Sequence, residues 1–262
     1  MKILMIGDIF GKPGREIINQ ELANIKSMHE IDFIIANGEN ATHGKSISKK
    51  HYLELKKAGV DVVTSGNHIF KLKEVEQYIK EETDLLRPNN MSKNLPGQGF
   101  VLKKMNSKTI LTINLMGRSF MDLCDSPYDS LDEILKNNKA DIILVDFHAE
   151  ATAEKKAFAY NYDGQITALV GTHTHVQTAD EQILPQGTFY ITDLGMTGNL
   201  DSVIGVSPDE VIIKEKTGLP VKFVPLNGEP TLCGVILTIN DKNKVIKFER
   251  IQFKNHNELI KK

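Results

Sequence analysis

The chain begins with KILMIGDIFGKPG at residues 2–14, an apolar run that leads into a carboxylate and a turn. Its first half is a short run rich in Ile, Leu and Met, which is typical of a buried strand, and the glycines and proline that follow indicate a turn. Asp8 ends the apolar run at a point where burial would make an unpaired carboxylate costly. The stretch therefore predicts a buried strand that carries a polar side chain at its carboxyl end.

The pattern of a short apolar run followed by a helix-length segment recurs through the first two thirds of the chain. Predicted strands cover residues 2–7, 32–37, 60–65, 142–147 and 166–171, and predicted helices cover residues 14–29, 48–57, 72–81, 127–138 and 151–160. Because these strands are apolar on both faces, they indicate an α/β fold in which helical layers bury the sheet. Further strands are predicted at 99–105 and 109–115. Two runs in the tail, 233–239 and 245–253, predict a second, more antiparallel sheet beside the first.

The composition, with 40% hydrophobic and 25% charged residues, is typical of one globular α/β domain covering residues 1–262. No apolar stretch reaches the ~18 residues of a membrane span, and the N-terminus lacks the pattern of a signal peptide. Cys124 and Cys233 are interpreted as small buried side chains rather than as a disulfide or a zinc site, so we expect a cytoplasmic protein. A net charge of −2 does not favour an extended nucleic-acid surface. The Lys-rich end, 255–262, is expected to be solvated.

Polar side chains follow five of the predicted strands at the point where each strand ends. They are Asp8, Glu39 with Asn40, Asn67 with His68, His148, and His173 with His175. Each residue alone has an ordinary explanation, such as a cap or a turn former. Because the carboxyl ends of parallel strands meet at one edge of a sheet, recurrence at five ends favours a common site. His173 and His175 lie two apart, and on an extended segment they would point the same way and could chelate a single ion.

The chemistry of this set favours a metal centre. A mixture of imidazole, carboxylate and amide groups without thiolates suits iron, manganese or zinc better than calcium or magnesium. The set exceeds one tetrahedral ion, so we expect two ions, with Glu39 as the bridge. Two divalent ions, two carboxylates and a bridging hydroxide leave a small positive charge that favours a phosphoryl group. His68 follows the proposed ligand Asn67, and on extended backbone it would face the substrate as a proton donor.

Read in order, these residues resemble a known superfamily. The blocks GDIF, NGEN, SGNHIF, DFH and VGTHTH are similar to the signature of the calcineurin-like metallophosphoesterases, with GNH and THTH the most specific pieces. Two departures narrow the branch: Phe10 replaces a histidine, and Glu39 replaces the bridging Asp. Together with NGENATHGK and residues 171–205, they resemble the YmdB-like phosphodiesterases from residue 1 to about 253.

The resemblance implies a four-layer αββα sandwich with two mixed sheets flanked by helices, a homo-oligomer, and a centre of two metal ions, iron with manganese or zinc as alternatives. It implies hydrolysis of 2′,3′-cyclic nucleotides to 3′-nucleotides by metal-hydroxide attack, with His68 as general acid. The implied ligands of the first ion are Asp8, Glu39, Asn40 and His175, and those of the second are Glu39, Asn67, His148 and His173. Asn40 would fill the gap left by Phe10.

Other functions remain open at the level of sequence. The same centre could serve a broad-specificity phosphomonoesterase or a protein phosphatase, and a metal-binding regulatory protein with little activity is a further alternative. RNA binding has little support, because the charge is near neutral and basic residues are not interleaved with aromatic ones. The segment 192–205 and His43 are expected near the site, without an assigned chemistry.

Overall fold

The structure is a computed structural model that describes residues 1–254 and 256–258. A first mixed sheet is built around the N-terminal strand. In spatial order it consists of β14 (Asn257–Glu258), β13 (Val245–Lys254), β12 (Leu232–Ile239), β1 (Lys2–Ile6), β3 (Phe33–Asn37) and β4 (Val62–Thr64). Strands β1, β3 and β4 are parallel, whereas β12 is antiparallel to β1.

A second mixed sheet is formed by the middle of the chain. In spatial order it consists of β5 (Phe100–Met105), β6 (Lys108–Met116), β7 (Ile142–His148), β8 (Ala168–Thr172), β10 (Phe189–Ile191) and β9 (Gln182–Ile183). Strands β6, β7, β8 and β10 are parallel. A short parallel pair, β2 (Asp8–Ile9) and β11 (Met196–Thr197), lies outside both sheets.

The helices connect these strands. They are α1 (Gly11–His29), α2 (Lys49–Ala58), α3 (Val75–Tyr78), α4 (Pro127–Asn137), α5 (Thr152–Asn161) and α6 (Pro208–Thr217). Two starts are capped by serine, because the Ser48 hydroxyl accepts from the backbone N–H of His51 and the Ser126 hydroxyl accepts from that of Asp129. Among the described residues, no helix has the length and apolar character to cross a membrane.

Three buried clusters define the layers. One lies between the two sheets and includes Met5 and Leu144. The second lies under α1 and α2, and the third lies under α4 and α5, where it includes Phe158. The order of layers is therefore helices, sheet, sheet, helices, which confirms the αββα expectation.

The sequence prediction was wrong about the sheet to which several strands belong. The tail hairpin, β12 and β13, extends the first sheet through β1, while β7 and β8 lie in the second sheet. An apolar run shows that a strand is buried and does not show which strand it pairs with. Of the helix predicted at 72–81, only Val75–Tyr78 is α-helical, because the residues on either side form turns in which each N–H bonds to the carbonyl three residues earlier. The short strands β2 and β11 and the helix α6 were not predicted, and residues 255 and 259–262 of the predicted solvated end lie outside the described part.

Asp84 ties the first helical layer to the second sheet. Its carboxylate accepts hydrogen bonds from Tyr52 and Lys56 on α2 and from Lys103 on β5. Burial alone would raise the pKa of Asp84, but the hydrogen bonds from Lys103, Lys56 and Tyr52 outweigh it and hold the pKa well below its usual range. The carboxylate therefore contributes stability only while it is ionised.

We expect Asp84→Asn to lower the free energy of unfolding at pH 7 by about 1–3 kcal/mol, because two ammonium groups lose their carboxylate. The folded-state pKa lies below the unfolded value of about 3.9, so this contribution is present above that pH and is lost as the pH falls. Urea unfolding at pH 7 and in acid measures it. Glu30→Gln, which breaks the exposed pair with Lys2, is the control and should change stability by under about 0.5 kcal/mol. Equal destabilisation at both pH values would contradict the assignment.

Candidate metal centre

The carboxyl ends of strands from both sheets face each other at one edge of the sandwich. His148, the last residue of β7, lies against two carboxylates that follow strands of the first sheet. Its Nε2 is 3.3 Å from Glu39 Oε2, and its Nδ1 is 3.8 Å from Asp8 Oδ1. The strand-end residues therefore meet at one place, although they come from two sheets rather than one.

One group of donor atoms surrounds His148 Nε2. Glu39 Oε2 and Asn67 Oδ1 are each 3.3 Å from this nitrogen, and His173 Nδ1 is 3.1 Å from it. Donor atoms of Glu39, His148 and His173 all lie within 4.8 Å of one another. This geometry has the spacing of ligands that could hold one metal ion.

A second group includes Asp8, Asn40 and His175. His175 Nε2 is 3.9 Å from Asp8 Oδ1. A hydrogen bond from Asn40 Nδ2 to the Gly44 carbonyl, at 3.0 Å, fixes the orientation of the Asn40 amide. In the part of the chain that the structure describes, Asp8 Oδ1 and Asn40 Oδ1 are buried and have no hydrogen-bond partner. Because unpaired buried acceptors are costly, this donor set fits a cation.

Each histidine uses its outer ring nitrogen on a hydrogen-bond partner. His148 Nδ1 contacts the Thr172 hydroxyl at 2.9 Å, His175 Nδ1 donates to the Ile204 carbonyl at 2.9 Å, and His173 Nε2 is 3.1 Å from Glu150 Oε2. These contacts leave Nε2 of His148, Nε2 of His175 and Nδ1 of His173 facing the centre. Outer partners of this kind fix the ring orientation and the tautomer of metal-binding histidines.

A buried carboxylate lies behind His148. Asp146 accepts from the Thr172 hydroxyl at 2.7 Å, from Asn37 Nδ2 at 3.0 Å and from the Thr64 hydroxyl. Burial raises the pKa of Asp146, against these hydrogen bonds and the charge of His148. The chain Asp146–Thr172–His148 fixes the imidazole from the side away from the centre.

The loop that carries His173 and His175 is not the extended segment that the sequence predicted. Both residues have positive φ, 105° and 66°, so their rings diverge: His173 lies beside His148 and His175 beside Asp8. The loop rests on a fully buried ion pair, in which Lys155 Nζ donates to Asp193 Oδ2 at 2.9 Å. Lys155 also donates to the Thr172 carbonyl, and the Thr174 N–H donates to Asp193. The ion pair thus supports backbone that is unfavourable on its own.

His68 lies at the rim of the centre, with its side chain 30% exposed. Its Nδ1 is 3.1 Å from Asn40 Nδ2 and 3.4 Å from Glu39 Oε1, and its backbone N–H donates to Glu39 Oε2. Asn67 and His68 lie in a turn rather than on extended backbone. Each of the eight predicted site residues therefore has a polar side-chain atom within 3.9 Å of a polar side-chain atom of another of the eight.

Phe10 contributes no donor and instead packs beside one. Its ring meets His175 edge-on, with 5.6 Å between centroids. A Cβ placed on Gly205 would lie 2.6 Å from the Phe10 ring, so the segment 192–205 borders the centre through close packing as well as through the Ile204 carbonyl. The ring therefore helps to orient His175. His43 is exposed in the neighbouring loop, with φ of 53°.

The electrostatics of the centre depend on Glu39, Asp8 and His148. Burial opposes charge on all three. The charges of His148 and His68 nevertheless hold the pKa of Glu39 well below its usual range, and the carboxylates of Glu39, Asp8 and Asp146 raise the pKa of His148 to about 9. For Asp8, burial dominates and raises the pKa to about 6. Positive charge is therefore strongly favoured in the space between the carboxylates.

Sequence reasoning missed the supporting residues. Asp146 could have been found, because a carboxylate inside the apolar run IILVDFH needs partners when buried. Lys155 and Asp193 carry no such signal, since each lies in a segment that reads as an ordinary helix or loop.

Three comparisons relate the chain to known proteins. A family model described as "YmdB-like protein" matches residues 4–251. The 2′,3′-cyclic-nucleotide 2′-phosphodiesterase of Bacillus subtilis is 44% identical over 254 residues, 96% of each chain. A crystal structure of a phosphatase from Mycoplasma pneumoniae is 40% identical, with a TM-score of 0.92 over 97% of this chain and 93% of that one. The NAD nucleotidase of Haemophilus influenzae, at 12% identity and a TM-score of 0.55 over 97% of this chain and 56% of that one, shares the fold.

Gly66 tests the geometry of the centre, because a Cβ at this position would lie 2.2 Å from both Glu39 Oε2 and His148 Nε2. We expect Gly66→Ala to displace these groups and to weaken metal binding at least about tenfold, as loss of ligand orientation does. Metal content and calorimetric titration measure the effect. Gly59→Ala is the control: its Cβ meets nothing within 4 Å, but its φ of 108° costs stability without touching the centre. Unchanged metal binding in Gly66→Ala would contradict the geometry.

Proposed function

The chain belongs to the YmdB-like protein family, and from this premise we propose that it is a dimetal phosphodiesterase that hydrolyses 2′,3′-cyclic nucleotides to 3′-nucleotides. The enzyme is a metal-dependent phosphoric diester hydrolase, and the specific substrate is the proposal. The observation that carries it is the convergence of eight donor or proton-carrying side chains, among which Asp8 and Asn40 have buried oxygens without a hydrogen-bond partner in the described part of the chain. The name of the Bacillus subtilis relative supports the substrate class.

We assign the donor groups to two ions. Asp8, Asn40 and His175 would hold the first, and Asn67, His148 and His173 the second. Glu39 would serve both, because its carboxylate is almost fully buried between the two groups. Two ions bound there supply a water ionised near neutral pH and positive charge for the phosphate oxygens. The ligand set suits iron, manganese or zinc, and the resemblance to the family favours iron.

His68 is proposed to donate the proton to the leaving group. Its Nδ1 is occupied by Asn40 and faces Glu39, so Nε2 is the nitrogen that remains for the substrate. A water oxygen forms the new bond to phosphorus, the P–O2′ bond breaks, and the His68 proton goes to O2′.

The similarity to a phosphatase from Mycoplasma pneumoniae makes phosphomonoester hydrolysis the alternative reaction. A phosphomonoesterase would hydrolyse nucleoside monophosphates or a phosphopeptide on the same centre. A regulatory protein with a metal site would do neither when fully loaded with metal. A panel of 2′,3′-cyclic AMP, 3′,5′-cyclic AMP, AMP and a phosphopeptide separates these functions, and we expect the 2′,3′-cyclic diester to be the best substrate.

A cytoplasmic location and a homo-oligomer are also part of the proposal. Cys124 and Cys233 are both free, which is compatible with a reducing compartment. Helix α6 has no buried residue, and Ile212, Ile213 and Leu219 are exposed in and after it. Exposed apolar side chains of this kind support an interface with another copy of the chain.

Replacing His68 tests the mechanism. We expect His68→Ala to keep its metal content and to lose on the order of 10²–10⁴-fold in kcat on 2′,3′-cyclic AMP, because the leaving O2′ lacks a proton donor. His256→Ala, which removes an exposed histidine paired with Glu21, should retain turnover.

The wild-type product, identified by chromatography against both isomers, should be 3′-AMP. Formation of 2′-AMP would reverse the proposed leaving group, and wild-type turnover in His68→Ala would remove His68 from the mechanism.

A further inference from the structure

A cavity of about 420 Å³ opens beside His175, on the flank of the candidate metal centre. Its wall is mostly apolar and is formed mainly by residues 175–177, at the end of the loop that carries His173 and His175, and by residues 196–204. The apolar side chains that line it are Val176, Met196, Leu200, Val203 and Ile204. Because His175 itself lines the cavity, a ligand there would be continuous with one held at the centre.

The apolar wall is unusual for a surface beside buried charges. Val176 is 61% exposed, Ile204 54% and Leu200 38%. Apolar area in contact with water is unfavourable by about 25 cal/mol per Å². A flat, uncharged ligand group would cover these side chains, and ligand sites of ~300–1,000 Å³ with apolar walls and few polar groups are typical of this kind of binding.

The backbone at Ile204 links this wall to the centre. Ile204 has φ of 47°, a conformation that is strongly disfavoured for a β-branched residue. In this conformation its carbonyl accepts from His175 Nδ1 while its side chain lines the cavity. Backbone strain of this kind is concentrated at ligand sites. The same local geometry therefore orients a proposed metal ligand and presents an apolar contact.

Gln177 lies in the cavity wall and is held there by two hydrogen bonds. Gln177 Nε2 donates to the carbonyls of Gly234 and Ile251, each at 3.1 Å, which fixes the orientation of the amide. Gln177 Oε1 has no hydrogen-bond partner among the described residues.

Resting on the proposed function, we propose that this cavity is the nucleobase subsite of the enzyme. A nucleobase is flat and largely apolar on its faces, which matches the mostly apolar wall of a cavity that adjoins His175. A second cavity of about 430 Å³ lies on the other flank, where Asp122 accepts from Asn67. Its wall combines Met121, Leu123 and Tyr128 with charged side chains. The charged side chains are Arg118, Asp122 and Glu154, and their presence favours a polar group over a base.

The test compares two diesters with the same reacting ring: 2′,3′-cyclic AMP and methyl β-D-ribofuranoside 2,3-cyclic phosphate, which has no base. For the wild type we expect kcat/KM to be about 10–100-fold higher for the nucleotide. Leu200→Ser and Val203→Ser should each lower the nucleotide value about tenfold, mainly through KM, and leave the base-free value unchanged. Met121→Ser, in the second cavity, is the matched control and should change neither value.

The outcomes separate the subsite from the reaction. Hydrolysis of the base-free diester as fast as the nucleotide, or an equal loss on both substrates in Leu200→Ser and Val203→Ser, would overturn the subsite and leave the proposed function standing. A loss of nucleotide preference in Met121→Ser alone would place the base in the second cavity and overturn the assignment. No hydrolysis of either diester by the metal-loaded wild type would overturn the proposed function, and the subsite with it.

Discussion

The structure depends on the burial of two carboxylates, Asp8 and Glu39, between the ends of two sheets. Neither has appreciable exposed surface, and they lie against the same imidazole, that of His148. Charges in such a place require compensation, which imidazole supplies here and which bound metal ions would complete. The requirement also explains Gly66, since even a methyl group would occupy the space between Glu39 and His148.

A second layer of residues holds the charged groups in place. Thr172 and Asp146 fix His148, the Ile204 carbonyl and the Phe10 ring fix His175, and Glu150 faces His173. The buried ion pair of Lys155 and Asp193 supports the loop in which His173 and His175 have positive φ. The two sheets provide rigid anchors for this loop, so unfavourable local conformations are offset by the packing around them.

Sequence reasoning predicted most of the strands, and the candidate site residues that the structure brings together, for one physical reason. A buried strand must be apolar, so a polar residue at its end stands out, as Asp8 does after KILMIG. The partners of a strand cannot be predicted in this way, because the run 166–171 would be equally apolar in the first sheet or in the second. The sign of the φ angle cannot be read from the sequence either, and the extended geometry predicted for His173 and His175 was therefore wrong. Phe10 identified the branch of the family, but its edge-on contact with His175 could be seen only in three dimensions.

The proposed role of Glu39 is to bridge two ions between the two sheets. Anomalous diffraction from crystals grown with Mn²⁺ tests this role directly. We expect two peaks about 3.5–4 Å apart, both in contact with Glu39. One peak should be surrounded by Asp8, Asn40 and His175, and the other by Asn67, His148 and His173. A single peak, or two peaks that do not share Glu39, would contradict it.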